Sequence, residues 1–415
     1  MKLEISKARK EIDIIANTMV EPGLSGGNRI FIELAKRLAE TGVVVNVFTS
    51  TEGKKICEKN GLKKANYFVW QIPKFFLKKV EKLTRFEIFL LYLIGLGRGL
   101  LNYRHFLKGK IGKRIIWTTS DYWPDSLIGI TAKFINRGNF WIGSLFLFAP
   151  NPLVGFREKG KLTFPSLKNS LFYLTQQPIL NITKRLADLI FVTSHPDKDK
   201  FIQAGKDPRK IIVVRGGVDT RWADRYLAGS QNEEKEYEAC FVGRFHPQKG
   251  VLELIDIWNE VCKFDKKAKL VMIGDGELKE AVNKKIQEKG LEKNIILKGF
   301  LGDGEDKFAI FKKSRIVLHP AVYDSGGMAA AEAMAWGLPG VSFDLEALKS
   351  YYPYGMLKAK LGDNQDFAGL ILKLLHDKRL YYNTSTKARE LILQEWSWTK
   401  KVATVYKMIF GEESD

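Results

Sequence analysis

The chain has 415 residues, 45% apolar and 27% charged, and a net charge of +20 from 67 Lys and Arg against 47 Asp and Glu. That length suffices for two full cores, and the composition is that of a globular chain rather than a disordered or fibrous one. The positive excess calls for an anionic partner: a phosphorylated small molecule, an anionic lipid or nucleic acid. Cys57, Cys240 and Cys262 form no C-x-x-C pair and leave an odd count. A disulfide framework is therefore not expected, and a reducing compartment is. The N-terminus is charged and no secretory apolar region follows it. The apolar stretches 86–101 and 140–154 are short for a membrane span and are broken by Arg98, Pro150 and Pro152, so no transmembrane helix is expected.

In chain order, Ile12 to Ala16 reads as a buried first strand. A loop from Glu21 to Asn28 holds Gly26 and Gly27, and a helix from about Arg29 to Glu40 carries Ile30, Phe31, Leu34, Ala35 and Leu38 on one stripe. By itself the glycine pair serves the backbone of a tight connection. Val43 to Thr49 is the second strand. Between Lys54 and Arg114 basic residues far outnumber acidic ones and alternate with Phe75, Phe76, Phe86, Phe89 and Tyr92. Such a stretch either lies on an anionic membrane or is a solvated lysine face over an ordinary core. No zinc spacing or RNA-binding signature accompanies it, so nucleic acid is not the expected partner. Ile115 to Thr118 is a further strand, with Asp121 and Asp125 after it at what would be the carboxyl edge of an open α/β sheet. Another apolar run, 141–148, leads to Asn151. Leu189 to Thr193 and Ile211 to Val214 close the first half.

The polar segment 230–238 reads as a linker, and the second half opens with a strand, Ala239 to Val242, followed by Gly243-Arg244-Phe245-His246-Pro247-Gln248-Lys249-Gly250. A helix with Val251, Leu254, Ile255, Trp258 and Val261 on its apolar face comes next. Arg244 thus stands at a strand end and Lys249 at a helix start. Arginine grips phosphate with two donors and lysine acts as a point charge, a pair suited to a diphosphate. Strands at 269–273 and 295–298 end in Gly274-Asp275-Gly276-Glu277 and Gly299-Phe300-Leu301. Asp303-Gly304-Glu305 looks superficially like a metal-binding acid pair, but it lies on an expected surface turn, and no metal site is assigned to it. Ile316 to Leu318 is a strand stopped by His319-Pro320. A loop with Asp324, Ser325, Gly326 and Gly327 leads into a helix over 328–336, and Gly340 to Phe343 is the next strand. The first turn of a helix leaves backbone N–H groups unpaired, and two glycines let a phosphate approach them. Glu332 would repel that phosphate but can accept two hydroxyl hydrogen bonds from a ribose. The bland alternative is a buried crossover with Glu332 solvated. A last helix, 397–410, carries Trp398, Val402, Val405, Tyr406 and Ile409 at helical spacing.

Asp324 and Glu332, two acids separated by seven residues, continue into Glu-Ala-Met-Ala-Trp-Gly-Leu-Pro over 332–339. This unit resembles the signature of the retaining glycosyltransferases of family 4. Arg215-Gly216-Gly217-Val218-Asp219 is similar to that family's Asn-Gly-Val-Asp turn. Two departures stand out. The family's first acid is normally glutamate, and no histidine lies between His105 and His195, where many relatives carry one in a loop of the first domain.

The resemblance implies an α/β architecture of the GT-B kind: two Rossmann-like domains with parallel sheets facing a deep interdomain cleft. An acceptor domain would span 1–217 and take back a C-terminal helix at about 395–415, and a nucleotide-sugar donor domain would span 218–394. Asp324, Arg244 and Lys249 would be catalytic. Gly26, Gly27, Gly274, Phe300, Leu301, Gly326, Gly327, Met328 and Glu332 would bind the donor, and Asp121, Asp125 and Asn151 would be acceptor-side candidates. The resemblance further implies a nucleoside-diphosphate sugar as donor, no metal and no other cofactor, and a glycan or lipid-linked acceptor. The expected location is cytoplasmic, at a membrane face if the region 74–114 engages anionic lipid. A sugar-nucleotide epimerase on the same fold, or a polyanion- or membrane-binding protein with a vestigial site, are the alternatives.

Overall fold

The computed structural model describes residues 10–20, 25–77, 85–107, 113–153, 167–229, 234–323 and 327–411. The chain divides into two compact units. One comprises Met1–Ala149, Ser170–Gly216 and Trp398–Asp415; the other comprises Pro150–Asn169 and Gly217–Ser397.

The first unit is built on strands β1 (Glu11–Ala16), β2 (Val44–Ser50), β3 (Asn66–Trp70), β4 (Ile115–Thr118), β5 (Phe140–Leu145), β6 (Leu189–Val192) and β7 (Ile211–Val213). They lie in the order β3-β2-β1-β4-β5-β6-β7, every neighbouring pair parallel. A parallel sheet is covered on both faces, so its strands read as apolar runs rather than alternations. Ile12, Ile14, Ile15 and Ala16 of β1 are all fully buried. Asp13, the polar residue in that run, is equally buried, and the Arg114 guanidinium answers it with Nε 2.5 Å and Nη2 2.6 Å from its carboxylate. The helix Gly26–Glu40 begins three residues before the expected position because the Ser25 hydroxyl accepts from the Asn28 N–H and caps it. The C-terminal helix Trp398–Phe410 packs on it, with the Arg37 guanidinium 5.7 Å from the Trp398 ring centre.

The second unit holds β8 (Tyr237–Val242), β9 (Leu270–Ile273), β10 (Ile295–Gly299), β11 (Ser314–His319), β12 (Gly340–Phe343) and β13 (Met356–Ala359), in the order β10-β9-β8-β11-β12-β13 and again all parallel. The helix Val251–Phe264 buries Val251, Leu254, Ile255, Trp258 and Val261 completely. The expected helix over 328–336 ends earlier, at Met334. Two strands went unanticipated, β3 and β13, and both are sheet edges. Edge strands are half-exposed and tolerate polar residues such as Asn66 and Lys358, which hides them from an apolar-run reading.

In each sheet the chain runs outward from one central strand and then returns to its other side. The reversal lies between β1 and β4 in the first unit and between β8 and β11 in the second. At such a point the two loops leaving the carboxyl ends diverge, which opens a natural ligand crevice. In the second unit they also touch. Gly250 sits at φ +63°, and a Cβ there would fall 1.9 Å from the Pro320 carbonyl oxygen. Gly250→Ala is therefore expected to lower the stability of this unit by roughly 2–4 kcal/mol, from strain plus clash. A urea titration followed by tryptophan fluorescence should show the earlier midpoint.

Candidate functional site

Four loops at the carboxyl edge of the second sheet are joined by backbone hydrogen bonds. The loop after β8 carries Arg244, which is exposed, and Lys249, which closes a short 3-10 turn, Pro247–Lys249. Phe245 N donates to Asp275 O at 2.8 Å, tying this loop to the one after β9, and Gly274 N donates to Gly299 O at 2.8 Å, tying that one to the loop after β10. On the other side, Gln248 O accepts from Val322 N at 3.0 Å and Tyr323 N at 3.3 Å, immediately before residue 324. Arg244, Lys249, Gly274, Phe300, Leu301, Gly327 and Met328 thus share one edge of one sheet. The Phe300 ring is 75% exposed there, an apolar face turned to solvent at a strand end. His246 caps the turn at Lys249 and lies 3.4 Å from Glu277.

Asp324 and Gly326 lie outside the described residues. Gly327, at φ +46°, precedes the helix Met328–Met334, and the Tyr352 hydroxyl donates to its carbonyl. Tyr352 is fully buried, and its ring stacks on Trp396 at 5.4 Å with 14° between planes. Trp396 O in turn accepts from Val218 N at 3.1 Å. Lys358 of β13 reaches the same place, 5.5 Å from the Tyr352 ring centre and 3.1 Å from the Ser342 hydroxyl. Burial pushes its pKa down to about 7, with Asp344 opposing.

Glu332 is on the helix Met328–Met334 and only 9% exposed. Lys307, 5% exposed on the helix Glu305–Lys313, places its ammonium 2.5 Å from Glu332 Oε2 and 2.7 Å from Asp303 Oδ1. Burial pulls the Lys307 pKa down, but the two carboxylates outweigh it and hold it above the ordinary lysine value. Asp303 and Glu305 are each paired with a lysine, Lys307 and Lys312. Among the described residues no group of three or more His, Cys, Asp and Glu is arranged to hold a metal ion.

In the first unit, Gly26 and Gly27 open the helix after β1, and a Cβ on Gly27 would fall 2.7 Å from the Phe146 ring. Asp121, half-buried after β4, accepts from Gln176 Nε2 at 2.5 Å, and burial pushes its pKa up to about 6. Asp125 is fully buried. It accepts from Asn17 N at 2.6 Å, the Thr18 hydroxyl at 2.9 Å and the Ser120 hydroxyl at 2.5 Å, and so ties the loops after β1 and β4 together. Its pKa is pushed up to about 7 by burial. Asn151 is exposed and caps the Leu153 N–H at 2.9 Å. Asp121 and Asp125 therefore share an edge, while Asn151 belongs to the other unit. Sequence reasoning missed Lys307, Tyr352, Lys358 and Gln176. Only the first left a trace, the i, i+4 spacing of Asp303 and Lys307.

Two doubly wound parallel sheets, each with its glycine-bearing loops at a switch point, define a protein of the GT-B class. The family description "Glycosyltransferase Family 4" matches residues 24–222, and "Glycosyl transferases group 1" matches residues 224–391. The chain belongs to the family 4 glycosyltransferases. It is similar to a poly(ribitol-phosphate) alpha-N-acetylglucosaminyltransferase of Staphylococcus aureus, 30% identical over 159 residues, or 38% of this chain and 32% of that one. It is 27% identical over 251 residues to an uncharacterised glycosyltransferase of Methanocaldococcus jannaschii, covering 59% of this chain and 63% of that one. These matches span less than two thirds of the relatives' own lengths. A crystal structure of Anabaena HepE in complex with UDP and glucose superposes with a TM-score of 0.67 at 16% identity, over 97% of this chain and 99% of that one.

Removing the latch on the Gly327 carbonyl tests its place in the site. Tyr352→Phe is expected to cost about 1 kcal/mol of stability, the ordinary worth of one buried hydrogen bond. The KM for a sugar-nucleotide donor should rise several-fold with kcat little changed, readable from initial rates over a donor titration.

Proposed function

We propose that the protein transfers a sugar from a nucleoside-diphosphate sugar to an acceptor hydroxyl, with retention of anomeric configuration and with neither metal nor other cofactor. The observation that carries this reading is the placing of Arg244, Lys249 and the Gly327–Met328 turn on joined loops beside the β8/β11 switch point. When the bond from the sugar's anomeric carbon to the diphosphate breaks, negative charge grows on the leaving oxygen. Arg244 and Lys249 supply the positive charge to meet it, a duty a metal fulfils in other architectures. Glu332 receives the ribose hydroxyls, Phe300 and Leu301 flank the base, and Asp324 receives hydroxyls of the donor sugar. Aspartate is one methylene shorter than the family's usual glutamate and reaches roughly 1.5 Å less far. Gly26, Gly27 and Gly274 let the backbone approach the donor closely. Asp121 is the acceptor-side group best placed to meet a sugar hydroxyl, whereas Asp125 is fully buried beneath that edge and Asn151 lies on the other unit.

The +20 charge and the poly(ribitol-phosphate) acceptor named for the Staphylococcus relative favour an acceptor bearing anionic groups, as a glycan or on a lipid carrier. No helix among the described residues is long and apolar enough to cross a membrane. Exposed Phe75 lies on the helix Lys74–Leu77, and Phe86, Phe89 and Leu93 lie on the helix Arg85–Leu107, within the lysine-rich region 74–114. Apolar side chains among cations suit the anionic face of a bilayer, a location at the cytoplasmic membrane surface. Lys78, Lys79 and Lys82, part of that region's charge, lie outside the described residues.

A thermal-shift panel of UDP-, GDP-, ADP- and TDP-sugars identifies the donor, since a ligand at 100 Kd stabilises by roughly 2.7 kcal/mol. With that donor, Arg244→Ala and Lys249→Ala should each reduce transfer on the order of a hundredfold without unfolding the protein. Near-normal turnover in both variants removes the assignment. Isomerisation of the donor in the absence of acceptor would replace transfer by epimerisation.

The membrane contact has its own test. Cosedimentation with vesicles containing phosphatidylglycerol should be strong at low salt and weaken as the Debye length shortens to about 3 Å near 1 M salt. Phe86→Ser with Phe89→Ser should weaken it further while leaving transfer to a soluble acceptor intact. Indifference to these vesicles at low salt would assign the region to an ordinary solvated face.

A further inference from the structure

The lysine against Glu332 has a part in recognition that its burial alone does not explain. Glu332 is 9% exposed and Lys307 5%, and their charged atoms lie 2.5 Å apart between two helices. The neighbouring core residues Ala330, Ala331, Ala333, Phe311 and Ile310 are already closed over one another. A buried ion pair adds little net stability over an apolar pair of the same volume, because both ions must be desolvated. Net stability is therefore a weak reason for this pair to be here, and a role for the carboxylate itself is the alternative.

Lys307 fixes that carboxylate in two ways. Its ammonium bonds Oε2, which sets the plane of the carboxylate and the direction of its lone pairs. It also sets a positive charge directly against the nearly buried Glu332 side chain. The lysine stem runs past Phe311, with Nζ 5.9 Å from the ring centre, and Asp303 Oδ1 at 2.7 Å takes a second ammonium hydrogen. Asp303, Lys307 and Glu332 together carry a net charge of −1. A cluster of that sign accepts hydrogens from hydroxyls and repels phosphates, so it suits the unphosphorylated ribose hydroxyls rather than the diphosphate.

We propose that Lys307 is a positioning residue that, through Glu332, gives the donor site its preference for a nucleotide whose ribose carries both hydroxyls. The inference rests on the donor-site reading given above, in which Glu332 faces the ribose. Lys307 itself touches no reacting atom. Its effect is confined to the part of the ligand that Glu332 reads, which separates it from a lysine that merely staples the helices Glu305–Lys313 and Met328–Met334 together.

Calorimetric titration of UDP and GDP, each beside its 2′,3′-dideoxy analogue, tests this directly. The unmodified protein should favour the better ribonucleotide over its dideoxy form by ~10–100-fold, the worth of hydrogen bonds to a charged acceptor. Lys307→Met should bring that ratio to within about threefold of unity while binding of the dideoxy nucleotide barely changes, and Lys307→Arg should recover part of the preference. The double variant Lys307→Met with Glu332→Gln leaves only the half-exposed Asp303 without its lysine and no buried charge unpaired, so it serves if the single one fails to fold. It should discriminate no less than Glu332→Gln alone. A Lys307→Met protein that keeps the full ribose preference, even with both affinities lowered together, overturns the inference and leaves the donor site standing. If neither UDP nor GDP binds, the same comparison is run with ADP and its dideoxy analogue; an unmodified protein that binds only TDP, whose ribose lacks the 2′ hydroxyl, overturns the inference, and one that binds none of the four removes the donor-site reading and this inference with it.

Discussion

Gly250 lies so close to the Pro320 carbonyl that no side chain fits between them, and the site of the second unit follows from that approach. With the two backbones in contact, the Gln248 carbonyl can accept from both Val322 and Tyr323. The loop bearing Arg244 and Lys249 is then held in register with the loop that enters the helix Met328–Met334. Neither loop could be placed so by its own sequence. Each is short, and backbone groups of one are satisfied by backbone groups of the other. The same economy extends sideways through Phe245, Asp275, Gly274 and Gly299, so that cations, exposed aromatic ring and glycine turn share one edge.

Charge is handled differently inside and outside the molecule. The surface carries a large positive excess, which acts at long range on anionic partners and is weakened by salt. Among the described residues, buried charges meet partners of different kinds: Asp13 has Arg114, Glu332 has Lys307 and Asp197 has Lys200, while Lys206 donates to the Ala187 carbonyl. Asp125 has no cation and is held by three hydrogen-bond donors instead, with a pKa raised by burial to about 7. A carboxyl in that condition loses stability as pH rises from its unfolded value, near 4, through its folded one, because the folded form then has to bury a charge. The first unit therefore gives up some stability near neutral pH to join the loops after β1 and β4.

The column formed by Lys358, Tyr352 and Trp396 links distant parts of the second unit. Trp396 stands beside Val218, and both lie next to points where the chain passes between units. Tyr352, stacked on Trp396, holds the Gly327 carbonyl. The conformation of the glycine turn is thus tied to residues some 70 to 110 positions away in sequence, through aromatic packing rather than a loop of its own.

Much of this architecture was legible in the residues. Buried parallel strands announce themselves as apolar runs, which is why β4 and β12 fall on their expected bounds and why two α/β halves were foreseen. Arg244, Lys249, Gly327 and Glu332 could be singled out because helix starts and strand ends have local signals, and because their order resembles one family's. What the sequence could not carry is everything decided by residues that are far apart in it. Edge strands β3 and β13 lack an apolar run because half their surface is wet. Asp125 reads as a cleft acid but turns inward, since its donors come from Asn17 and Thr18 across the sheet. Lys307 reads as one solvated lysine among many, and only the packing of two helices brings it to Glu332. Local propensity determined the elements; the pairing of buried polar groups, which depends on which elements meet, belonged to the tertiary structure alone.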